Sequence, residues 1–300
     1  MTDKGIDVLV IGSLNHDIVA GVDVGPRPGE TVLATTLTRA NGGKGGNQAV
    51  AAARAGAAVR MVSSVGADAE GDDQISDLTR HGVDPGGVAR QEGVRTSLAL
   101  IWVTPDGENS IIVTPGAKDL LTPDLVRTLA GPKPARVVLA QSEVGAAVCD
   151  AAAELAGNWG ARFVLSCGPA VLVSPAALKL CDPIIVNASE ARDLCAQLGA
   201  DAAVDEAGLS QAVLSATGAR SVVVTLGARG SQLAQAGSTE TIPAVPASHV
   251  VDTTGAGDTY CGVVAARLAL GMPLPQACRE AAEAASEAVG WMGARPARPA

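Results

Sequence analysis

The chain has 300 residues, enough for one large domain or for a domain with a small addition. Its formal net charge is -9, which argues against nucleic acid or an anionic membrane as a partner, because both require a basic face. No segment reaches the ~18 uninterrupted apolar residues of a membrane span. The N-terminus lacks the longer apolar core and cleavage site of a signal peptide, so we expect a cytoplasmic protein.

Short apolar segments bounded by turn residues alternate with alanine-rich segments of helical length. The apolar segments are 7–13, 59–66, 136–141, 162–168, 182–187 and 220–227, and the helical segments are 46–56, 70–81, 144–158, 189–198, 206–217 and 256–270. Strands this short and this apolar are typical of parallel sheets buried on both faces by helices. The sequence therefore predicts an α/β fold built on a doubly wound, mostly parallel sheet.

Two segments, 18–39 and 96–113, break this alternation with half-polar β patterning, and the second contains the turn PDGEN. We expect them to form a small inserted β-sheet that acts as a lid. The predicted division is a core of 1–14, 42–95 and 114–300 and a lid of 15–41 and 96–113. A lid over the ends of a parallel sheet closes on substrate and excludes water. Its exposed edges predict a homodimer that pairs through the lid.

A glycine-rich motif, NGGKGGNQAV, follows the first lid segment at 41–50. A P-loop needs Ser or Thr directly after its lysine, but Gly45 follows Lys44 here. The preceding segment is polar, so the motif is not the G-x-G-x-x-G that follows a buried strand in dinucleotide folds. Lys44 and Asn47 are candidate ligand-binding side chains at the start of a helix, with Gly43 allowing close approach. The alternative is a simple hinge between lid and core.

The motif DTTGAGDTYCG at 252–262 precedes a long alanine-rich helix. Gly255, Ala256 and Gly257 are small enough to bring backbone amides close to an anion, and the positive end of the helix points to the same place. A carboxylate at Asp258 would be placed to accept a proton from a hydroxyl that attacks a phosphoryl group. The alternative, with about equal weight on this motif alone, is that Asp258 only caps the helix.

Three further motifs end predicted strands, where α/β sheets bind ligands. In GSLNHD, Asn15 and Asp17 are candidates for sugar hydroxyls or for Asx turns, and His16 is predicted at the surface. In NASE, Asn187 and Glu190 are candidates for Mg²⁺ beside phosphates or for a charged helix start. The motif TLGARG, at 225–230, would either let a nucleotide lie flat or form a plain hairpin turn.

In chain order the five motifs are GSLNHD, GGKGGNQA, NASE, TLGARG and DTTGAGD, and this series resembles the ribokinase-like family of sugar kinases from Val8 to about Pro296. The resemblance implies ATP-dependent phosphorylation of D-ribose at O5, with Asp258 as the general base and Gly255, Ala256 and Gly257 as the anion hole. The residues it implies for the sugar are Asn15, Asp17, Gly43, Lys44, Asn47, Ala99, Ile111 and Glu143. The residues it implies for ATP are Thr225, Leu226, Gly227, Ala228, Arg229 and Gly230, with Gly257 from the anion hole.

The resemblance also implies two kinds of cation. Asn187 and Glu190 would lie toward the phosphates and Mg²⁺. A monovalent cation, K⁺, would be held by residues Asp252 and Thr254 and by the carbonyls of Ala288, Trp291 and Gly293. The chain departs from the family's usual pattern at Ser166, Ala282 and Ala297, where relatives often carry larger or more polar residues.

Three functions remain as alternatives to the phosphorylation of D-ribose. The first is a kinase for another sugar or a nucleoside on the same scaffold, although Lys44 and Glu143 favour a small polyol over a nucleoside base. The second is a binding protein that keeps the sugar site without catalysis, against which Asp258 and the anion-hole glycines count. A dinucleotide oxidoreductase is the third, and the missing strand before a G-x-G-x-x-G motif makes it the weakest.

Overall fold

The computed structural model describes residues 5–105 and 109–296, and within them nine strands form one twisted sheet. The strands are β1 Ile6–Ile11, β4 Val59–Gly66, β5 Val83–Gln91, β8 Ala135–Gln141, β9 Arg162–Ser166, β10 Cys181–Asn187, β11 Ser221–Thr225, β12 Ser231–Gln235 and β13 Ser238–Ile242. Across the sheet their order is β13-β12-β11-β10-β9-β8-β1-β4-β5. Neighbours from β11 to β5 pair in parallel, and β12 and β13 add an antiparallel hairpin at one edge.

Helices cover both faces of this sheet. They are α1 Lys44–Arg54, α2 Ala69–Arg80, α3 Pro123–Leu129, α4 Ala146–Trp159, α5 Pro175–Leu180, α6 Ala188–Gln197, α7 Glu206–Thr217, α8 Ala256–Ala269 and α9 Leu274–Ala288. Alternate residues of β1 enter different apolar clusters: Val8 and Val10 pack with α1, α8 and α9, whereas Leu9 and Ile11 pack with α3 to α7. None of the described helices is both long enough and apolar enough to cross a membrane.

The direction of winding reverses next to β1. From β1 the chain moves outward through β4 and β5, and it then returns to the other side of β1 as β8 before continuing outward to β11. In sheets wound this way, ligands bind in the crevice at the carboxyl ends of the strands where the order reverses. The segments after β1 and β8 therefore border the expected site.

A second, smaller sheet is inserted beside this crevice. Its strands are β2 Asn15–Val22, β3 Ala34–Gly42, β6 Leu98–Val103 and β7 Asn109–Val113, in the order β3-β2-β6-β7. Two antiparallel pairs, β2 with β3 and β6 with β7, are joined by parallel pairing of β2 with β6. The single residue Gly43 separates the end of β3 from the start of α1. Movement of the small sheet therefore acts directly on the first turn of α1.

The predicted α/β architecture with a separate small sheet is confirmed, and each predicted strand and helix has a counterpart. The elements that the sequence did not predict are α3, α5, α9, the β12–β13 hairpin and β5. Strand β5 contains Pro85, Gly86 and Gly87, which normally argue against a strand, and it is tolerated because it lies at the sheet edge. The exact division into core and lid stays a prediction, and residues 106–108 of the predicted PDGEN turn lie outside the described residues.

Candidate active site

Polar side chains from the ends of β1 and β8 meet in the crevice. Ser13 Oγ donates a hydrogen bond of 2.7 Å to Glu143 Oε2, and Asn15 Nδ2 donates to Glu143 Oε1 at 3.3 Å. The buried Oδ1 of Asn15 has no hydrogen-bond partner in the described part of the chain. An unpaired buried acceptor is costly, so a donor on a bound ligand would be stabilising here.

Helix α1 begins at this crevice because of Gly43. This residue is the N-cap with φ of 89°, and a Cβ there would lie 2.7 Å from both Ser13 O and Asn15 N. Only glycine combines this backbone angle with such close packing. The close packing brings Lys44, the first residue of α1, and Asn47, one turn later, to the crevice. The motif thus joins the small sheet to the core, as its hinge interpretation required, and also presents candidate ligand-binding groups.

The start of α8 faces the start of α1. Gly255 is the N-cap, so Asp258 is the third helical residue, and no side chain caps this helix. The Asp258 carboxylate instead accepts hydrogen bonds of 2.9 Å from Asn47 Nδ2 and from Gln48 Nε2. The Asp258 carboxylate therefore makes contacts across to α1 that a helix cap alone would not explain. The first-turn amides of α8 have no partner within the helix. Ala256 N contacts the Thr253 carbonyl at 3.3 Å, and the helix start otherwise presents amides that can bind an anion.

Buried amides hold the Asp258 carboxylate in place. Gln48 Nε2, besides contacting Asp258, lies 3.2 Å from Ser166 Oγ, and Gln141 Nε2 donates to Gln48 Oε1 at 2.8 Å. Both glutamine side chains are fully buried. The sequence analysis missed Gln48 and Gln141, although Gln48 lies one turn after Lys44 in the same glycine-rich motif. Ser166, one of the departures from the family pattern, belongs to this network.

Charged groups are concentrated at the two helix starts. Burial raises the pKa of Asp258, which the nearby Lys44 ammonium opposes. Burial also disfavours the Lys44 ammonium, but the carboxylates of Asp258, Glu143 and Glu190 hold its pKa above the ordinary value. Burial raises the pKa of Asp17 to about 6, with Arg295 opposing and Glu143 and Asp258 adding to the rise. One lysine and one arginine thus face several carboxylates.

A cavity of about 600 Å³ opens beside the start of α8. It lies among the β11–β12 turn, the segment 244–250, α8 and α9, and Ala256 and Gly257 form part of its wall. Its lining is mostly alanine, valine, glycine and proline. The predicted nucleotide residues that line it are Thr225, Gly227, Ala228, Gly230 and Gly257. Ala282, one of the departures from the family pattern, lines the cavity too.

Two of the predicted nucleotide residues do not line this cavity. The side chain of Leu226 packs against the apolar cluster on the opposite face of the sheet. Arg229 Nη2 donates to Glu206 Oε1 at 2.9 Å. Both residues belong to the short turn that joins β11 to β12. The motif TLGARG therefore forms a hairpin turn, and four of its residues also line the cavity.

Comparison with known proteins identifies the type of enzyme. The model of the pfkB family carbohydrate kinases matches residues 6–300. The chain belongs to this family. Ribokinase from Haemophilus influenzae is 33% identical over 292 residues, which cover 97% of this chain and 94% of that protein. The resemblance inferred from the five motifs is therefore confirmed, and the chain is a carbohydrate kinase.

Solved structures agree with this assignment. A ribokinase from Thermotoga maritima has a TM-score of 0.86 and 29% identity, covering 96% of this chain and 94% of that one. The structure of Arabidopsis thaliana ribokinase complexed with ribose and ATP has a TM-score of 0.83 and 30% identity, covering 97% and 95%. This PfkB kinase thus shares its fold with ribokinases, one of which was solved as a complex with ribose and ATP.

The two regions expected to hold cations in this PfkB kinase have oxygen donors that fit them. Asn187 and Glu190 form a capping box at the start of α6, with Asn187 Oδ1 accepting from Glu190 N at 2.9 Å and Glu190 Oε2 accepting from Asn187 N at 2.8 Å. The helix-start interpretation of Glu190 is therefore confirmed. Its carboxylate still has the hard oxygen donors that Mg²⁺ accepts, directly or through water.

The second region surrounds Asp252, whose carboxylate joins two loops. Asp252 Oδ1 accepts from Thr254 N at 2.9 Å, and Oδ2 accepts from Gly293 N at 2.8 Å. Burial opposes ionisation, but these hydrogen bonds hold the pKa of Asp252 below the ordinary value. Ala288 ends α9, and Trp291 N contacts the Ala288 carbonyl at 3.5 Å. One carboxylate with backbone carbonyls is a hard donor set that suits a monovalent cation. Ala297, one of the departures from the family pattern, lies outside the described residues.

Three other predicted positions are placed as follows. His16 is buried, which corrects its prediction at the surface, and its ring nitrogens have no partner among the described residues. It lies at the start of β2, where the small sheet joins the core and where Leu14, Asn15 and Ser97 are buried as well, whereas the next residues of β2 are only half-buried. Ala99 pairs directly with Asp17 across β2 and β6 and therefore lies on the same face of the small sheet. Ile111 pairs with Ile101 on this same face and is 54% exposed.

The first turn of α8 can be tested with alanine. A Cβ on Gly257 would have nothing within 4 Å, so we expect Gly257→Ala to retain or slightly increase the melting temperature. Its methyl group would enter the cavity beside the helix amides, and we expect kcat/KM for the phosphoryl donor to fall by about 10- to 100-fold, because small displacements of reacting groups are costly. Thermal unfolding and steady-state kinetics measure both effects.

The variant for comparison is Gly255→Ala, which adds the same methyl group two residues earlier at a position where it should destabilise the fold. Gly255 has φ of 78°, and its Cβ would lie 2.5 Å from Ala294 Cα, so this change should destabilise the protein by about 1–3 kcal/mol. An unaltered kcat/KM in Gly257→Ala would show that this turn does not hold the phosphoryl donor.

The raised pKa of Asp17 predicts a pH dependence of sugar binding. Ionised Asp17 accepts hydroxyl hydrogen bonds at two oxygens, whereas the neutral acid has lost part of this capacity. Because its pKa is about 6, the sugar should bind more tightly as the pH rises through about 6. Calorimetric titration with sugar alone, without nucleotide, measures this between pH 5 and 8. Asp17→Asn should bind weakly at every pH, and an unchanged pH profile in that variant would assign the titration to another group.

Proposed function

We propose that this kinase transfers the γ-phosphoryl group of ATP to O5 of D-ribose. The observation that carries the proposal is the position of Asp258. Its carboxylate is bonded to Asn47 of the polar crevice, while the adjacent Gly257 lines the large cavity. A hydroxyl bound in the crevice and a phosphate bound in the cavity would therefore meet at Asp258 and the amides of α8.

The crevice supports a small polyol as the acceptor. Asn15, Asp17, Lys44, Asn47 and Glu143 offer both donors and acceptors within a short distance, as sugar hydroxyls require. A nucleoside base would need apolar or aromatic walls, which these residues do not provide. The names of the similar ribokinases, and the ribose and ATP complex among them, support ribose and ATP as the substrates.

The proposed step is a direct displacement at phosphorus. The O5 hydroxyl gives its proton to the Asp258 carboxylate as its oxygen forms a bond to the γ-phosphorus, and the bond from this phosphorus to the bridging oxygen of ADP breaks. The backbone amides of the anion hole, at Gly255, Ala256 and Gly257, would stabilise the charge on the transferred group. Gln48 and Asn47 hold the carboxylate toward the hydroxyl.

Two cations and the lid complete the proposal. Mg²⁺, with Asn187 and Glu190 nearby, would neutralise charge on the phosphates. A monovalent cation, which we propose to be K⁺, would bind Asp252, Thr254 and the carbonyls of Ala288, Trp291 and Gly293 and so fix the loop before α8. Closure of the small sheet would place Ala99 and Ile111 against the sugar and exclude water. A cytoplasmic location stays a prediction from the sequence.

An ADP-release assay over pentoses, hexoses and nucleosides tests the substrate. We expect ribose to give the highest kcat/KM, with 2-deoxyribose included as the smallest change of structure. Preferential turnover of a hexose or a nucleoside would replace ribose by that substrate. Sugar binding without any ADP release would favour the non-catalytic alternative.

The role of Asp258 as base predicts the effect of Asp258→Asn. The amide keeps the shape but cannot accept the hydroxyl proton, so kcat should fall by roughly 10²–10⁴. The melting temperature should fall somewhat, because the new NH₂ group would face Asn47 Nδ2 or Gln48 Nε2, which are both donors. Sugar affinity should change only modestly. A kcat within a few-fold of wild type would move the search for the base to Asp17 or Glu143.

The outer face of the small sheet supports a second copy of the chain as partner. Leu37, Leu100 and Ile112 lie on the face opposite Asp17, and Leu37 is 65% exposed. Exposed apolar sheets with free edges are usually covered. We expect a dimer at micromolar concentration by light scattering and a monomer for Leu37→Asp with Ile112→Asp. A wild-type monomer with full activity would contradict this association.

A further inference from the structure

The segment after α9 returns to the active site and contacts both helix starts. Gly293 N donates to Asp252 Oδ2 at 2.8 Å in the loop before α8. Ala294 packs directly on Gly255, the N-cap of α8. The next residue, Arg295, extends away from α8 toward α1. Three consecutive residues thus link the loop before α8 to the sugar side of the site.

Arg295 is buried although it carries a charge, and its side chain is 6% exposed. Its Nε donates to Asn47 Oδ1 at 2.9 Å, Nη1 donates to Asp77 Oδ2 at 2.6 Å, and Nη2 donates to the Gly42 carbonyl at 2.8 Å. One guanidinium therefore contacts α1, α2 and the last residue of β3. A buried charge of this kind persists only where its partners are well placed.

The contact with Asn47 determines which way the amide of that residue points. Arginine has donors and no acceptor, so it can bind only the oxygen of an amide. With Oδ1 on Arg295, Nδ2 of Asn47 is directed to Asp258 Oδ2 at 2.9 Å. The reversed amide would set NH₂ against the guanidinium and oxygen against the carboxylate, and both contacts would be repulsive. Arg295 and Asp258 therefore select the same orientation.

Space for the guanidinium depends on Gly46. A Cβ on Gly46 would overlap Arg295 Nη2, so the glycine-rich motif leaves room for the arginine as well as for the ligand. Three elements, α1, α2 and β3, thus come together around one side chain that the sequence motifs did not single out.

We propose that Arg295 is the positioning residue that fixes the Asn47 side chain in the sugar pocket and ties it to the end of the small sheet. The inference rests on the proposed function only in placing Asn47 in the sugar pocket. Arg295 itself acts through Asn47 and Gly42 and does not contact the sugar or the phosphoryl group.

The test compares Arg295→Met, Arg295→Lys and the control Arg80→Met. Arg80 also pairs with Asp77, at 3.2 Å, and it is half exposed. Arg295→Met should raise the sugar KM by about 10-fold or more, from the loss of charged hydrogen bonds, and leave the KM for ATP within about two-fold. Arg295→Lys should not restore the sugar KM, because a single ammonium cannot reproduce three divergent donors. Arg80→Met should have the wild-type sugar KM.

A double-mutant cycle decides whether Arg295 acts through Asn47. We expect Arg295→Met to raise the sugar KM clearly less in the Asn47→Ala background than in the wild type, with the remaining rise due to the lost contact with the Gly42 carbonyl. Independent, additive effects in this cycle would overturn the proposal, and so would an equal rise in both KM values for Arg295→Met. If Arg295→Met does not fold, the double variant Arg295→Met with Asp77→Asn is used instead, because it does not leave the Asp77 carboxylate without its partner. Its kinetic constants are then compared with those of Asp77→Asn alone.

The kinetic constants are measured with whichever sugar the wild type phosphorylates best in the panel. A preference for another sugar would correct the proposed substrate, while the comparison of the Arg295 variants would still be valid. An unchanged sugar KM in every folded Arg295 variant would overturn the positioning role, whatever the sugar is.

Discussion

The site depends on backbone contact between α1 and its two neighbours. A Cβ on Gly262 of α8 would overlap the Gln48 carbonyl of α1, and a Cβ on Gly45 would lie 2.7 Å from the backbone at Gly12 and Ser13. Side chains larger than hydrogen at these points would push the helix away. Because the approach is so close, the short amides of Asn47 and Gln48 reach Asp258 directly. Helix α1, which carries the proposed sugar-binding groups, and helix α8, which carries the carboxylate, are thus held in one relative position.

The catalytic role that we propose for the Asp258 carboxylate sets opposing requirements. The carboxylate must be ionised to accept a proton, yet burial favours its neutral form. Lys44 and the two amides favour the ionised form, whereas Glu143 nearby disfavours it. Such a balance is how enzymes bring the pKa of a carboxyl toward that of its task. Burial likewise raises the pKa of Asp17, to about 6, with Arg295 opposing the rise.

The sequence predicted those parts of the molecule that depend on local pattern. Apolar segments gave the central strands, and the five motifs gave the family and the neighbourhood of Lys44 and Asp258. It did not predict β5, because Pro85 and two glycines are acceptable only at a sheet edge, and edge position is a property of the whole topology. It did not predict Arg295 or Gln141 either. Their importance comes from partners far along the chain, such as Asn47 for Arg295, which no short pattern contains.

The wall of the large cavity has a consequence for the choice of nucleotide. Ala282, Ala285, Val289, Val245 and Val250 can exclude water from a flat heterocycle, but their side chains cannot distinguish its ring nitrogens or its exocyclic groups. The hydroxyl of Tyr260, which also lines the cavity, is already bonded to Ser231 at 2.8 Å. Discrimination by shape alone is worth about 10- to 200-fold, whereas hydrogen-bonded recognition reaches 10⁴ or more. Any strong preference for adenine over guanine must therefore come from backbone groups or from the few hydroxyls of the lining, those of Thr225, Thr253 and Ser286. Without such contacts, the relative abundance of purine triphosphates in the cell would select the donor.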